Sequence, residues 1–313
     1  MNWKIKALLQ IFLSKSKIGD KLNHIPATLK KNYHYYVFWY QTSECIRKFK
    51  ESNVLLKKEI NSNALEIGTG YSIISPIVLF LLGFKSIITV DITEDISFKT
   101  FKKQRKFLET EQFLETIIAE SIFDKEEIKN KIILINQAEN FETLFKLANI
   151  TYIAPYKFED IEKLSTSFTY ISSQVVLEHV YPKIINEIFE KTKKWLQTDG
   201  VCVHTINFID HFANPGIFQD KNISEFNFLK YSDKFWEFWA GNSIAYTNRL
   251  SYIYYLEMAK KYNLEIVDFK GENYRIRKEL DPKLIHQDVI NKYKSIHLEE
   301  LTRYQRGTLI LKK

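Results

Sequence analysis

The hydrophobic pattern of the chain changes near residue 60. Before that point, apolar residues over 35–50 recur with the period of an α-helix, and the sequence Asn-Ser-Asn at 61–63 ends this pattern. After it, short apolar runs alternate with longer helix-like segments, as in the βαβ units that build a parallel sheet. The predicted strands cover 64–67, 86–90, 151–153, 168–171 and 201–203.

Two more β-like runs, 264–269 and 307–311, are expected to close the sheet as an antiparallel pair. Between the first two strands, Ser75 is the expected N-cap, Pro76 the first-turn proline and Gly83 the C-terminal glycine of a short buried helix. The pattern therefore predicts an α/β fold with a mostly parallel, seven-stranded sheet and helices on both faces. The other predicted parts are an N-terminal helical cap (1–60), an aromatic-rich helical insertion after strand five (207–262) and closing strands (263–313).

The composition is that of an ordinary globular protein, with 45% hydrophobic and 27% charged residues. The two cysteines, Cys45 and Cys202, are too few for a disulfide framework, so we expect buried thiols and a reducing compartment. The longest apolar stretch, 71–84, is too short to cross a bilayer. These features predict a cytoplasmic protein.

The N-terminal segment 3–17 resembles a signal peptide only superficially, because Lys6 interrupts it and no small-residue cleavage site follows. We expect it to pack onto the domain as an ordinary helix. The alternative is an amphipathic helix on a membrane surface, with Lys15 and Lys17 at its end. Peripheral membrane contact through 3–17 therefore stays open.

The formal net charge of +7 raises the question of nucleic-acid binding. The basic clusters at 102–106, 191–194 and 275–278 lie in separate segments and are interleaved with acidic and apolar residues. Solvated helix faces explain such clusters better than a phosphate-binding groove does. Nucleic acid is therefore a disfavoured partner.

Two short motifs indicate a nucleoside site. Residues 65–70 read Leu-Glu-Ile-Gly-Thr-Gly where the first strand should turn into a helix, and glycines there let the backbone approach a ligand. Asp91, at the end of the next strand, lies 21 residues beyond Gly70, near the spacing at which a carboxylate binds ribose hydroxyls. Ile73 replaces the third glycine of the dinucleotide fingerprint, so the pyrophosphate cradle is missing. Glu66 would offset the charge of a cationic aminoacyl group.

With these motifs the chain resembles the class I S-adenosylmethionine-dependent methyltransferases, whose first motif reads acid-x-Gly-x-Gly. The likeness continues in 172–180, which contains Leu-Glu-His, and in 195–200 before strand five. It implies a Rossmann-like core over 61–206 with S-adenosyl-L-methionine as its cofactor. The implied cofactor-binding residues are Glu66, Gly68, Thr69, Gly70, Asp91, Ile92, Pro155, Tyr156 and Ser173.

Three positions depart from the pattern of this family. Ser72 stands in place of a third glycine, Thr169 in place of the acid that often opens strand four, and Ala-Pro-Tyr-Lys at 154–157 in place of the acid after strand three. A glycine turn that binds another nucleotide, or none, is the alternative.

Methyl transfer needs an aligned acceptor and, for a hydroxyl acceptor, a base. One hypothesis makes His204 or His211 the base, oriented by Asp210, with His179 nearby at the end of strand four. A second is a divalent-metal site formed by Glu178, His179 and His204 or His211, although Val175 replaces the first glutamate of the Glu-x-x-Glu-His pattern known from some methyltransferases. A third assigns these residues structural roles.

The aromatic residues of 207–262 are expected either to pack as a lid on the core or to wall an acceptor pocket. Arg249 either anchors an anionic acceptor or holds its own loop. The leading hypothesis is an O-methyltransferase for a small-molecule or glycan-type acceptor. The alternatives are an RNA or protein methyltransferase and a catalytically inactive binding subunit with this fold. The oligomeric state is not predicted.

Overall fold

The computed structural model describes residues 1–16, 18–58, 61–163, 167–213, 218–274, 278–293 and 296–313. Within them lies a seven-stranded sheet with the strand order β3-β2-β1-β4-β5-β7-β6. The five strands β1 to β5 run parallel, and β7 is antiparallel to both β5 and β6. The strands are β1 (Asn63–Ile67), β2 (Ser86–Val90), β3 (Ile150–Ile153), β4 (Phe168–Gln174), β5 (Leu196–Asn207), β6 (Glu265–Glu272) and β7 (Arg306–Lys312).

Helices cover both faces of this sheet. One apolar core joins α3, α4, α6, α7 and α8 to the sheet, and a second joins α10 and α12 to its other face. The predicted α/β fold, mostly parallel sheet and antiparallel closing pair are confirmed. The helices are α1 (Trp3–Ser14), α2 (Gly19–Thr28), α3 (Tyr33–Ser52), α4 (Ile74–Leu82), α5 (Phe98–Gln104), α6 (Glu111–Ile118), α7 (Lys125–Gln137), α8 (Phe141–Ala148), α9 (Phe158–Lys163), α10 (Pro182–Trp195), α11 (Asp233–Ala240), α12 (Tyr252–Lys261) and α13 (Gln287–Ile290).

The helix after β1 begins earlier than the sequence predicts. Ile73 is the N-cap residue of α4, so Ser75 lies inside the first turn and the predicted Ser75 cap is wrong. The reason is a competing contact, because the Ser75 hydroxyl hydrogen-bonds the buried carboxylate of Glu66. Gly83 ends the helix as expected, with a φ of 125° that favours glycine.

Helix α3 is bound directly to the strands. The guanidinium of Arg47 donates to the hydroxyl of Thr205 on β5 and to that of Thr308 on β7, each at 3.0 Å. It also forms ion pairs with Glu44 and Glu51 on its own helix. This helix therefore covers the sheet as part of the core.

Helix α1 packs on the segment that follows β5. Trp3 and Ala7 are buried in a third apolar cluster with Phe212, Phe228 and Trp236. Most of the insertion's aromatic side chains are in this cluster, as the lid hypothesis predicts, although Phe238 is exposed.

Among the described residues, none of the helices is both long and apolar enough to cross a membrane. The thiols of Cys45 and Cys202 are free and buried. Lys17, Arg275 and Arg277 lie outside the described residues.

Candidate functional site

The loop between β1 and α4 has an open side at its second glycine. Gly68 and Gly70 both adopt positive φ, at 88° and 63°. The amide groups of Gly68 and Thr69 donate to the carbonyl of Val90 at 2.8 and 3.2 Å, which ties the loop to the end of β2. A Cβ on Gly68 would lie 2.2 Å from a methyl of Val176, whereas a Cβ on Gly70 would meet nothing within 4 Å. Space for a ligand is therefore at Gly70.

Asp91 lies at this open side. One carboxylate oxygen accepts a hydrogen bond from the Gly70 amide at 2.7 Å, and the other accepts one from the Ile92 amide at 2.7 Å. Partial burial raises the pKa of Asp91, and these backbone donors oppose the rise. Ile92 is 77% exposed beside it. The carboxylate is thus held in place next to an open, partly apolar surface.

The loop after β3 joins the same edge of the sheet. The Asp91 amide donates to the Ile153 carbonyl at 3.1 Å, and the Tyr156 amide donates to the Asp91 carbonyl at 2.9 Å. Pro155 is exposed and Tyr156 is half-buried. The structure therefore brings Gly68, Gly70, Asp91 and the 155–156 segment together.

Glu66 lies inside the core. Its carboxylate accepts a hydrogen bond from the Thr89 hydroxyl at 2.9 Å, and the hydroxyls of Thr89 and Thr69 are 2.6 Å apart. Burial raises its pKa, while the Ser75 hydroxyl and the charge of Lys48 lower it. This side chain braces the glycine loop from within.

Lys48 is a buried cation that sequence reasoning missed. Its ammonium group donates to the Ser173 carbonyl at 3.2 Å, and burial lowers its pKa whereas Glu66 raises it. The sequence offered one signal for this burial, namely the position of Lys48 on α3 between Cys45 and Ser52, within the stripe that faces the core. A lysine inside an apolar stripe needs a partner there.

His204 and Ser173 form an internal pair on neighbouring strands. His204 has no exposed surface, and its ring nitrogens lie 2.8 Å from the Ser173 hydroxyl and 3.1 Å from the Cys202 sulfur. Burial lowers the pKa of His204 to about 3. Ser173 is equally buried. Neither side chain reaches a surface where a ligand would bind.

Glu178, His179 and His211 meet at one point. One ligand atom from each lies within 4.8 Å of the others. The first two belong to a short 3₁₀ turn that follows β4, and His211 follows β5. Of the two sets that the sequence allows, the structure therefore assembles the one with His211.

His179 and Glu178 have different surroundings. His179 Nδ1 lies 3.0 Å from the Tyr246 carbonyl, so Nδ1 carries the proton and Nε2 keeps its lone pair. Desolvation by the surrounding protein lowers the pKa of His179, although part of the residue is exposed to solvent. Burial raises the pKa of Glu178 to about 8, with Asn207 opposing the rise. Neither oxygen of that carboxylate has a hydrogen bond of normal geometry within the described chain.

Asp210 braces its own loop. Its carboxylate accepts hydrogen bonds from the Phe212 amide at 2.8 Å and from the Asn227 side chain at 3.4 Å. Burial raises the pKa of Asp210 to about 7. These two contacts place it between the turn after β5 and the insertion.

A cavity of about 200 Å³, the histidine cavity, lies beside His179 and His211. Helix α1 supplies Lys6 and Gln10, and the burial of Lys6 lowers its pKa while Asp210 raises it. The remaining lining residues are Asn23, Phe212, Gln219, Ile244 and Ala245. The insertion thus gives this cavity two aliphatic side chains.

Asn248 fixes the turn that carries Glu178 and His179. Its side-chain amide donates to the carbonyls of Leu177 at 2.7 Å and Val180 at 2.9 Å, and its backbone amide donates to the Glu178 carbonyl at 2.7 Å. Arg249 donates to the Phe228 carbonyl at 2.9 Å and pairs with Asp233, so it holds its own loop.

Helix α2 lies against the glycine loop. The rings of His24 and Tyr71 stack with centroids 3.9 Å apart and planes 6° from parallel. On the other side, the side chain of Asn23 is 3.4 Å from that of Gln10 on α1. Two N-terminal helices therefore cover the ligand edge of the sheet.

The sequence matches no protein-family model, and no curated protein matches it. Several solved structures are similar in fold at low identity. Phosphoethanolamine N-methyltransferase 2 of Haemonchus contortus, in complex with S-adenosyl-L-methionine, is 14% identical, with a TM-score of 0.42 over 87% of this chain and 52% of that one. The chain thus spans about half the length of that enzyme.

Two other similar structures match over most of both chains. A cyclopropane-fatty-acyl-phospholipid synthase-like protein of Lactobacillus casei is 10% identical, with a TM-score of 0.47 over 91% of this chain and 94% of that one. A geranyl diphosphate methyltransferase in complex with its methyl donor is 8% identical, with a TM-score of 0.43 over 91% of each chain. With TM-scores below 0.5, these likenesses assign no function to this chain.

Proposed function

We propose that this protein is an S-adenosylmethionine-dependent methyltransferase. The observation that carries the proposal is the contact between Asp91 and the Gly70 amide at the open side of the glycine loop. In the sheet, β1 has β2 on one side and β4 on the other. The connection from β1 to β2 therefore runs towards one edge of the sheet, and the connection from β3 to β4 runs back past β1 towards the other edge. Ligands of open α/β sheets bind at such a switch point, outside the carboxyl ends of the strands.

The residues at this edge fit an adenosyl group. The Asp91 oxygen that accepts from the Gly70 amide has capacity for another hydrogen bond, which a ribose hydroxyl would use. The other oxygen already accepts from the Ile92 and Thr93 amides, at 2.7 and 3.4 Å. Ile92 offers an exposed apolar surface for a purine ring. Ile73 is buried where a pyrophosphate cradle would need glycine. This arrangement suits a nucleoside without a diphosphate.

The methionine end would lie along 68–70, where the glycine backbone leaves room. S-adenosylmethionine, when bound, would supply a methyl group on a positively charged sulfur, and a nucleophile would attack that methyl carbon in line with the sulfur, which leaves. Glu66 and Lys48 offset each other's charge inside the core. We therefore assign Glu66 to supporting the loop, together with Thr69 and Thr89.

We infer that the acceptor is a small molecule or the end of a glycan. A cavity of about 200 Å³ has room for one compact polar group, and Lys6, Gln10 and Asn23 give it hydrogen-bonding partners. A nucleic-acid substrate would instead need a continuous positive groove beside the cofactor. O-methylation fits best, because His179 presents an unprotonated Nε2 that would take the proton from a hydroxyl group.

A divalent cation is the second candidate for activating the acceptor. The approach of Glu178, His179 and His211 within 4.8 Å favours it, because one carboxylate and two imidazoles form a common transition-metal ligand set. The Tyr246 carbonyl would fix the His179 ring, as carbonyls do for metal-bound histidines. A bound ion would hold the acceptor oxygen and lower its pKa.

The two chemistries can be separated with Mn²⁺ as the probe. Titration of the wild type with Mn²⁺ should give no heat if His179 acts as a simple base. Micromolar binding that His211→Ala removes and His297→Ala keeps would support the metal site, because His297 is exposed and lies outside the cluster. Loss of methyl transfer after EDTA treatment, with recovery on adding Mn²⁺, would support it further.

Cofactor binding is tested by calorimetric titration of the wild-type protein. We expect micromolar binding of S-adenosylmethionine and S-adenosylhomocysteine and none of NAD, because the loop lacks a pyrophosphate cradle. Binding of NAD in preference to both would refute the assignment. We also infer a reducing location such as the cytoplasm, which the two free buried thiols support.

A further inference from the structure

Helices α1 and α2 expose apolar side chains that nothing in the described structure covers. On α1, Trp3, Ala7 and Gln10 face the protein. Two apolar stripes point to solvent. One lies on the other side of α1, and the second runs along α2 and includes the residues just outside its ends. These side chains, which we call the α1–α2 face, are Ile5, Leu8, Leu9, Phe12, Ile18, Leu22, Ile25 and Leu29.

The exposure of this face is unusual for a protein surface. Phe12 is 76% exposed and Leu29 is 78% exposed, and the two helices that carry the stripes pack on each other. Extended apolar surface of this kind marks a site of interaction with another apolar phase or molecule.

The chain segment that contains the α1–α2 face is strongly basic. Residues 1–43 contain seven lysines and one acidic residue, a net charge of +6, while the whole chain carries +7. Lys4, Lys15, Lys30 and Lys31 are exposed in this segment. The basic excess of the protein is therefore concentrated on the part of the chain that carries the exposed apolar stripes.

We propose that the α1–α2 face binds the surface of an anionic lipid bilayer. Its aliphatic side chains would enter the region between headgroups and acyl chains, and the lysines would remain with the lipid phosphates. Lysines near an anionic surface also add electrostatic attraction. Membrane contact thus extends from α1, which the sequence suggests, to both helices.

Two other occupants fit the observations less well. Nucleic acid would use the lysines but gives no role to eight exposed apolar side chains, most of them aliphatic. A second copy of the chain would bring two segments of net charge +6 together. Of these three occupants, the anionic bilayer accounts for both features.

Docking would also affect the histidine cavity. Lys6, Gln10 and Asn23 come from these same two helices, so the cavity would lie close to lipid headgroups. If the cavity takes the methyl acceptor, an acceptor at the membrane surface would be within about one helix diameter of it. This consequence rests on the proposed methyl transfer, whereas bilayer binding itself does not.

Vesicle co-sedimentation of the full chain tests the proposal. The wild type should bind vesicles that contain phosphatidylglycerol at least tenfold more tightly than pure phosphatidylcholine vesicles, and added salt should weaken the binding. Replacing Leu9 and Phe12 together with glutamine should weaken it at least tenfold. The matched control is Leu55→Gln, because Leu55 is 82% exposed away from this face and should leave binding unchanged.

Other outcomes would overturn the proposal. One is no binding to phosphatidylglycerol vesicles by a protein with the circular dichroism spectrum of a folded α/β domain. Another is a dimer in light scattering that the Leu9 and Phe12 double variant disrupts, which would assign the face to a second copy. A third is RNA binding that depends on Lys30 and Lys31 and that the double variant retains.

Discussion

The ring of His204 lies between the hydroxyl of Ser173 and the thiol of Cys202, with no exposed surface. Burial, and to a smaller extent the charge of Lys48, lowers its pKa to about 3. In the unfolded chain a histidine has a pKa of about 6.5. Between these two values the unfolded state binds a proton that the folded state does not bind.

This difference predicts that His204 lowers stability in mild acid, whereas the raised pKa values of Glu178 and Asp210 act in the opposite direction. As the pH falls from 6.5 towards 3, the free energy of unfolding should decrease by about 1.4 kcal/mol per pH unit from His204 alone. At pH 5 the loss relative to pH 7 is on the order of 2 kcal/mol. Urea denaturation of the wild type and of His204→Gln at a series of pH values measures it.

The substitution itself costs stability at neutral pH, so the slope with pH is the relevant quantity. Relative to the difference at pH 7, the free energy of unfolding of His204→Gln should exceed that of the wild type by an amount that grows as the pH falls from 6.5 to 4. His297→Gln, at an exposed position, should keep the wild-type slope. Equal slopes for the wild type and the His204 variant would mean that this ring is not a buried neutral base.

The position of His204 explains one limit of sequence reasoning. The sequence predicts that strand five ends at 203, which would place His204 at the open end of the sheet. The strand continues to Asn207, and both faces of a parallel sheet are covered, so the ring is buried. Asp91 was easier to predict because its distance from Gly70 along the chain reflects local βαβ geometry.

The loop between β1 and α4 gives its two glycines different tasks. A side chain at Gly68 would collide with Val176, which belongs to the segment before Glu178. A side chain at Gly70 would enter the open space beside Asp91. The first glycine serves packing, and we assign the second to the proposed ligand.

Alanine at each position should separate these tasks. Gly68→Ala should lower the free energy of unfolding by about 2–3 kcal/mol, because it adds a clash to an unfavourable φ. Gly70→Ala should cost only about 1 kcal/mol for its positive φ but weaken S-adenosylhomocysteine binding at least tenfold. Thermal denaturation and calorimetric titration of both variants check the two effects.

A Gly70→Ala protein that binds S-adenosylhomocysteine as tightly as the wild type would show that the ligand does not approach this backbone. A Gly68→Ala protein as stable as the wild type would show that Val176 moves aside at little cost. Either result would contradict the division of tasks between the two glycines.

Elements whose pattern is local were predictable, while their ends depended on tertiary contacts. The seven strands follow from short apolar runs between turn residues, and α3 from its helical period. The start of α4 was shifted because Ser75 bonds Glu66 on another element. The clamp formed by Asn248 on the 177–180 turn carries no local signal, since about 70 residues separate its partners.

The arrangement of the whole chain brings together a site that no single segment encodes. The histidine cavity takes side chains from α1, α2, the ends of β4 and β5 and the insertion. Sequence reasoning identified His179 and His211 but not Lys6, Gln10 or Asn23. That residues 6 and 211 line the same cavity depends on how α1 packs through Trp3, which a period along the helix does not reveal.

The proposed cofactor site depends on Asp91 holding the ribose of an adenosyl group beside Gly70. Titration of S-adenosylhomocysteine into the wild type, Asp91→Ala and Glu94→Ala tests this most directly, because Glu94 is an exposed acid in the same loop. We predict micromolar binding by the wild type and Glu94→Ala, and binding at least tenfold weaker, about 1.4 kcal/mol, for Asp91→Ala. Equal affinity in all three proteins, or no binding by the wild type, would contradict the account.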